Sequence, residues 1–320
     1  GPNIHRYLRE LNETTFGTDA EIVTVGEMSS TTLENCYQYA GEDTGELSMV
    51  FSFHHLKVDF MGNEKWVMVP FDFQKLKDIL YEWQTKMARH RAWNAVFWCN
   101  HDQPRVVSRF GNTEKYWKES AKMLGTVIHC MRGTPYIYQG EELGMTNPGF
   151  TDIRQYRDVE SLNHFRILQE KGLSRENAYQ ILAIHSRDNS RTPMQWTAGP
   201  HAGFTAGEPW IQVTDNYRYI NAQAEQEDPD SILNYYRKLV RLRKEYDVIA
   251  LGEFEPLDVR NPSVLVYKRL LEGEELLVIC NFYGKEISWS CGENLESFRC
   301  LLGNYQEQKI DGETAALRPY

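Results

Sequence analysis

The feature that most restricts what this chain can fold into is the exchange, over about its first 140 residues, of short β-branched runs with long amphipathic ones. Glu21-Ile22-Val23-Thr24-Val25 predicts a buried strand. Thr31-Thr32-Leu33-Glu34 then has the Thr-x-x-Glu form of a helix start, in which a hydroxyl and a carboxylate cap free N–H groups. Residues 47–53 predict the next strand. Apolar side chains at 73, 76, 79, 80, 83 and 87 put one apolar stripe on a helix spanning 71–88. Residues 94–98 and 135–138 predict two more strands, separated by a helix over 115–131. Strands that alternate with helices lie parallel, so the expected class is α/β, doubly wound or barrel. Four strands with three helices amount to half of an eight-fold (β/α)8 TIM barrel.

The rhythm breaks over residues 141–230, a stretch rich in Gly, Pro, Asn and Asp in which only short helical pieces are expected, such as 158–171. An excursion of that length from a strand end is usually functional. A helix from Asp230-Ser231 to Tyr246 follows, and beyond about residue 250 the pattern turns to short strands at 264–267 and 276–283. Two domains are expected: 1–247, the barrel portion with its excursion, and 248–320, a small antiparallel all-β sandwich.

Composition excludes several classes of protein. A net charge of −10 with scattered basic residues makes duplex nucleic acid a poor partner, because gripping phosphates needs clustered cations. No run approaches the roughly 18 consecutive apolar residues of a membrane span, so no membrane partner is expected. The six cysteines form no CxxC pair, and Cys99 and Cys280 sit in apolar runs. That usage fits reduced thiols in a cytoplasmic protein better than a disulfide frame or a zinc site.

Three polar clusters follow predicted strands, where a parallel barrel does its chemistry. In Val25-Gly26-Glu27-Met28, a Glu ending a buried strand is expected to be half-buried, which favours a proton donor; the plainer alternative is a cap on the next helix. Cys99-Asn100-His101-Asp102-Gln103-Pro104-Arg105 is too densely polar to be explained by packing. A carboxylate beside His and Asn could bind the vicinal hydroxyls of a sugar. Glu141-Glu142, after Tyr138-Gln139-Gly140, could hold a metal or substrate, but a structural loop is the better reading.

Together these segments, with Gly133-Thr134-Pro135-Tyr136-Ile137-Tyr138, Arg187-Asp188-Asn189-Ser190-Arg191-Thr192-Pro193-Met194-Gln195-Trp196 and Gly207-Glu208-Pro209-Trp210, resemble the late signature regions of the α-amylase superfamily. The resemblance covers essentially the whole chain and points to the α-glucosidase branch that holds oligo-1,6-glucosidases and trehalose-6-phosphate hydrolases. It implies the C-terminal half of the barrel and a retaining glycosidase with two working carboxyl groups. Glu27 would be the general acid/base and Asp102 the transition-state stabiliser, while His101 and Arg191 would bind the terminal sugar. It implies no cofactor, and no metal ligands are read in these residues.

One departure stands out. The family's nucleophilic Asp ends the strand before the Glu27 strand in a Gly-φ-Arg-φ-Asp setting (φ apolar), and nothing like it precedes Glu21. The chain is therefore expected to be a fragment, clipped also after Leu317-Arg318-Pro319-Tyr320, and inactive or aggregation-prone alone. The segment Phe53-His54-His55-Leu56-Lys57-Val58-Asp59, with Glu64-Lys65-Trp66, resembles the phosphotrehalases. Lys57 and Lys65 are the candidate anchors for a substrate phosphate, and Ser29-Ser30 could line the leaving-group site. The expected substrate is a small phosphorylated disaccharide, trehalose 6-phosphate. The alternatives are isomaltose-type ends, or a non-catalytic glycosidase-like binding module, against which the retained Glu27, His101, Asp102 and Arg191 argue.

Overall fold

The computed structural model describes residues 1–19 and 21–320. Four strands pair in chain order in one parallel sheet: β1 (Val25–Met28), β2 (Met49–Ser52), β3 (Asn94–Val96) and β4 (Thr134–Pro135). Helix α1 (Ile4–Leu11) precedes them. α2 (Leu33–Ala40) and α3 (Phe73–Arg89) make the first two crossovers, and α4 (Val106–Phe110) with α5 (Trp117–His129) the third. α2 starts one residue later than its Thr-x-x-Glu pattern suggests. Thr32, not Thr31, accepts from the Asn35 amide, which leaves Glu34 free in the first turn.

The first strand corrects the expectation of a buried one. Ile22 and Val23 lie outside it and Val23 is 61% exposed. The cause is position: β1 is the sheet edge, with β2 as its sole neighbour. β2 and β3 end sooner than expected because Phe53, Phe97 and Trp98 leave the ladder to fill the core, while β4 pairs only over Thr134–Pro135 and leaves Ile137 exposed. Trp98 is buried and donates its indole N–H to the Leu124 carbonyl at 2.7 Å.

The excursion is better ordered than its composition implies. α6 (Val159–Glu170) and α7 (Arg175–His185) run 12 and 11 residues, capped by Asp158 and Ser174, and pack through Phe165, Leu168, Ala178 and Leu182. α6 lies within the expected helical piece 158–171, whereas the Gly and Asn of the loops hid α7. α8 (Ala222–Glu227), α9 (Ile232–Glu245) and α10 (Asp247–Leu251) follow, with Ser231 capping α9.

Six further strands close the chain: β5 (Glu253–Leu257), β6 (Val264–Leu271), β7 (Glu274–Asn281), β8 (Ile287–Ser290), β9 (Lys309–Asp311) and β10 (Thr314–Leu317). They form two antiparallel sheets, ordered 5-6-7 and 8-10-9, and Val264, Val266, Trp289 and Ala315 pack together. β6 alternates sides, so Leu265 and Tyr267 enter the main core with Leu76, Phe110, Leu124 and Leu239. Tyr267 fixes this junction by donating its hydroxyl to the Val127 carbonyl of α5 at 2.7 Å. Tyr267→Phe leaves that buried carbonyl without its partner, so the urea midpoint should fall by the equivalent of about 1–3 kcal/mol. An unchanged midpoint would show that the contact does not hold the sheets to the helices.

Candidate active site

Strand register places the first candidate. Glu27 pairs with Phe51, and Phe51 with Ala95. Aligned residues on neighbouring strands share a face, as does Phe97 two positions on from Ala95. Phe51 meets Phe97 and Tyr136 edge-on, with centroids 5.0 and 4.6 Å apart. The loop carrying His101 and Asp102 leaves the same carboxyl edge after β3, two strand spacings from β1, roughly 10 Å between backbones. The half-burial expected of Glu27 is not found. The side chain is exposed, again because β1 has a neighbour on one side only.

Asp102 is gripped on one oxygen. Arg191 Nη2 donates to its Oδ1 at 2.6 Å, and the same guanidinium donates Nε to the His101 carbonyl at 2.8 Å. His101 Nε2 lies 3.7 Å and Arg187 Nε 3.8 Å from that oxygen. Oδ2 has no hydrogen-bond partner among the described residues, which leaves it free to accept. The Asp102 amide donates to Asn100 Oδ1 at 2.8 Å, so the polar run after β3 folds its own turn. Of the six candidate residues, Glu27, His101, Asp102, Arg191, Lys57 and Lys65, the structure brings His101, Asp102 and Arg191 into direct contact.

Further residues join them in a string of alternating charge. Arg187 Nε sits 3.0 Å from Glu160 Oε2, out of line for a hydrogen bond but close enough to pair, and Lys65 Nζ reaches the same oxygen at 3.3 Å. Arg191 Nη1 lies 3.7 Å from Asp158 Oδ1. Lys65, Glu160, Arg187, Asp102, Arg191 and Asp158 therefore run plus, minus, plus, minus, plus, minus. Glu160 and Asp158 were missed because acids at a helix start look like caps, and Asp158 is also one.

The two candidate lysines differ in consequence. Lys65 is mostly buried, stacks over Trp66 at 4.7 Å and is already neutralised by Glu160; burial lowers its pKa, with Glu160 opposing. Lys57 donates to the Ser29 carbonyl at 2.6 Å and the Ser30 hydroxyl at 3.3 Å, and no carboxylate lies within ion-pair distance among the described residues. Its charge is uncompensated next to the strand of Glu27.

Buried polar groups hold these loops. Asp59 and Arg109 form a buried pair at 2.6 Å, and Arg109 also donates to Gln103 of the Asp102 loop at 3.0 Å. His55 is fixed to the Phe97 carbonyl at 2.8 Å, and burial pulls its pKa down to about 4. Glu141 is buried and accepts from the Tyr236 hydroxyl at 3.0 Å; burial pushes its carboxyl up to about 8. Glu141 is thus structural, as the loop reading has it. Among the described residues no cluster of His, Cys, Asp or Glu is arranged to hold a metal ion, and no helix is long and apolar enough to cross a membrane. The cysteines are all free, with Cys36, Cys99, Cys130 and Cys280 buried and Cys300 exposed. A cavity of about 590 Å³ lies along β7 and α9 and is lined by none of the candidate residues.

Polar loops leaving the carboxyl ends of parallel strands stand where barrel folds place their functional residues. The family description "Alpha amylase, catalytic domain" matches residues 1–252, and the chain belongs to the α-amylase family, whose fold is a (β/α)8 barrel. It is 52% identical to a trehalose-6-phosphate hydrolase of Bacillus subtilis (strain 168) and 49% identical to one of Escherichia coli (strain K12). It is 45% identical to an oligo-1,6-glucosidase of Halalkalibacterium halodurans. Each alignment covers 100% of this chain but only 57%, 58% and 57% of the relative, so the chain spans a little over half their length. A solved structure of trehalose-6-phosphate hydrolase from Bacillus licheniformis superposes with a TM-score of 0.95 at 50% identity, covering 100% of this chain and 58% of that one.

Glu141 makes the fold pH-dependent in a defined direction. Its folded pKa of about 8 lies above the unfolded value near 4.3, so its contribution is full below the unfolded value and is lost as pH rises through about 8. The stability difference between the wild type and Glu141→Gln should therefore shift toward the variant from about pH 5 to about pH 9, by on the order of a few kcal/mol in urea unfolding. A difference that stays constant or moves the other way would contradict the burial argument.

Proposed function

We propose that this chain carries the acid/base and charge-stabilising part of a retaining α-glycosidase that hydrolyses trehalose 6-phosphate to glucose and glucose 6-phosphate. The observation that carries the reading is Asp102, cation-bound on Oδ1 and unpartnered on Oδ2, on the same sheet edge as Glu27. Glu27 would protonate the glycosidic oxygen and then take a proton from the attacking water. Asp102 Oδ2 would accept from sugar hydroxyls and steady the oxocarbenium-like charge, while Arg191 holds the carboxylate in place through Oδ1. His101 would meet the same ring. The nucleophilic Asp lies outside residues 1–320 in this reading, so residues 1–320 would turn over nothing unaided. Residues 1–247 would belong to the barrel's C-terminal half and 248–320 to a separate β domain. Free cysteines fit a cytoplasmic setting.

Lys57, not Lys65, is the better phosphate anchor, because its ammonium is uncompensated and Lys65's is not. The two relatives at 52% and 49% identity are trehalose-6-phosphate hydrolases, which supports the phosphorylated substrate. The 45% identity to an oligo-1,6-glucosidase keeps cleavage of isomaltose-type ends as the second reading.

The test assays the full polypeptide carrying this sequence on trehalose 6-phosphate and on isomaltose. Wild type should prefer the phosphate ester, and Lys57→Ala should raise KM for it about tenfold or more, the loss of one charge-assisted bond, with little change on isomaltose. Equal loss on both substrates would remove Lys57 from the phosphate site. Preference for isomaltose by the wild type would favour the second reading. Residues 1–320 alone should show no turnover of either sugar, and measurable turnover would refute the divided active site.

A further inference from the structure

Arg105 lies three residues beyond Asp102, is 1% exposed, and has no carboxylate in ion-pair contact among the described residues. Its Nη1 donates to the Gln139 carbonyl, while Nε and Nη2 are buried without a partner. The guanidinium sits 5.3 Å from the centre of the Tyr138 ring. The turn beneath it admits nothing larger than glycine: at Gly140, with φ +87°, an added Cβ would stand 2.9 Å from Arg105 Nη1 and 2.4 Å from Met145 Sδ. Tyr138 in turn donates its hydroxyl to the Ser190 carbonyl at 3.0 Å, and Ser190 directly precedes Arg191, which grips Asp102. The Arg105 amide donates to Asn147 Oδ1 at 2.9 Å, and Asn147 Nδ2 donates to the Ala183 carbonyl at 3.0 Å. These contacts close a ring from the Asp102 loop through the β4 loop to the excursion and back.

We propose that Arg105 is a positioning residue for Asp102, which locks the β3 loop to Tyr138 and the Gly140 turn so that Arg191 and Asp102 meet in one geometry. It touches neither substrate nor the reacting atoms. The fork of the guanidinium is what the site uses: one arm holds the Gln139 carbonyl while the plane covers Tyr138, and a lysine ammonium cannot do both. The same ring has no use for a surface charge, which accounts for a cation buried this deeply so near a sugar-binding carboxylate. The inference rests on the glycosidase reading above, and the experiment separates the two.

The test measures kcat and KM for p-nitrophenyl α-glucoside with the full polypeptide, in wild-type and Asp102→Asn backgrounds, each with and without Arg105→Lys. Arg105→Lys should lower kcat about tenfold or more with a smaller change in KM where Asp102 is present, and less than about twofold in the Asp102→Asn background. Equal losses in both backgrounds would overturn the proposal, since a purely structural role weakens each alike. If Arg105→Lys does not fold, Tyr138→Phe removes the link to Ser190 with the ring intact and must show the same background dependence. If the wild type turns over no glucoside, the functional reading fails, and amide hydrogen exchange decides the positioning claim. Exchange at Asp102 and at Arg105 must then quicken in the variant relative to α5; unchanged exchange there would overturn it.

Discussion

The candidate site depends on one contact between distant loops: the Arg191 guanidinium stands 2.6 Å from one oxygen of Asp102 and holds the loop after β3 in place. The pair is half-exposed, so its own contribution to stability is small. Its worth lies in geometry. Arg191 spends a second donor on the neighbouring backbone carbonyl, so the cation reads the loop as well as the carboxylate. Because Arg191 comes from the excursion and Asp102 from the β3 loop, the pair can exist only where roughly 90 residues of intervening chain fold back on the sheet edge. That return is secured by the α6–α7 core and by Asp188, which accepts from the Arg157 and Asp158 amides at 2.7 and 2.8 Å.

The charge string also separates residues that look equivalent in sequence. Lys57 and Lys65 are eight positions apart, both near aromatic and acidic neighbours. Glu160 cancels one and leaves the other uncompensated, so only one retains a field that an anionic sugar could feel. Likewise Glu141 and Glu142 stand side by side, yet Glu141 is buried against Tyr236 while Glu142 accepts from the Gly140 amide at 2.8 Å. Environment, more than residue type, assigns the roles.

Much of this was readable in the chain. Short β-branched and apolar runs with period-3.6 stripes between them gave the parallel strands and crossovers, and the polar run 99–105 marked the loop after β3. Other features were not. Val23 has the residue type of a buried strand but lies before β1, whose neighbour among the described residues is β2 alone, and it stays exposed. α6 was legible as the helical piece 158–171, but α7 was obscured because the Gly, Pro and Asn of the flanking loops dominate the composition. Glu160, Asp158 and Arg105 act through partners 30 to 95 residues away, a separation at which pattern carries no signal. Residues within one loop are legible; pairings between loops need coordinates.

The central claim is that Glu27 and Asp102 face one sugar from the same sheet edge. A crystal structure of the full polypeptide bearing Glu27→Gln, soaked with trehalose 6-phosphate, tests it most directly. The glycosidic oxygen should lie within hydrogen-bond distance of residue 27, and a ring hydroxyl of the glucose on Asp102 Oδ2. A sugar seated elsewhere, or one that bridges neither residue, would contradict it.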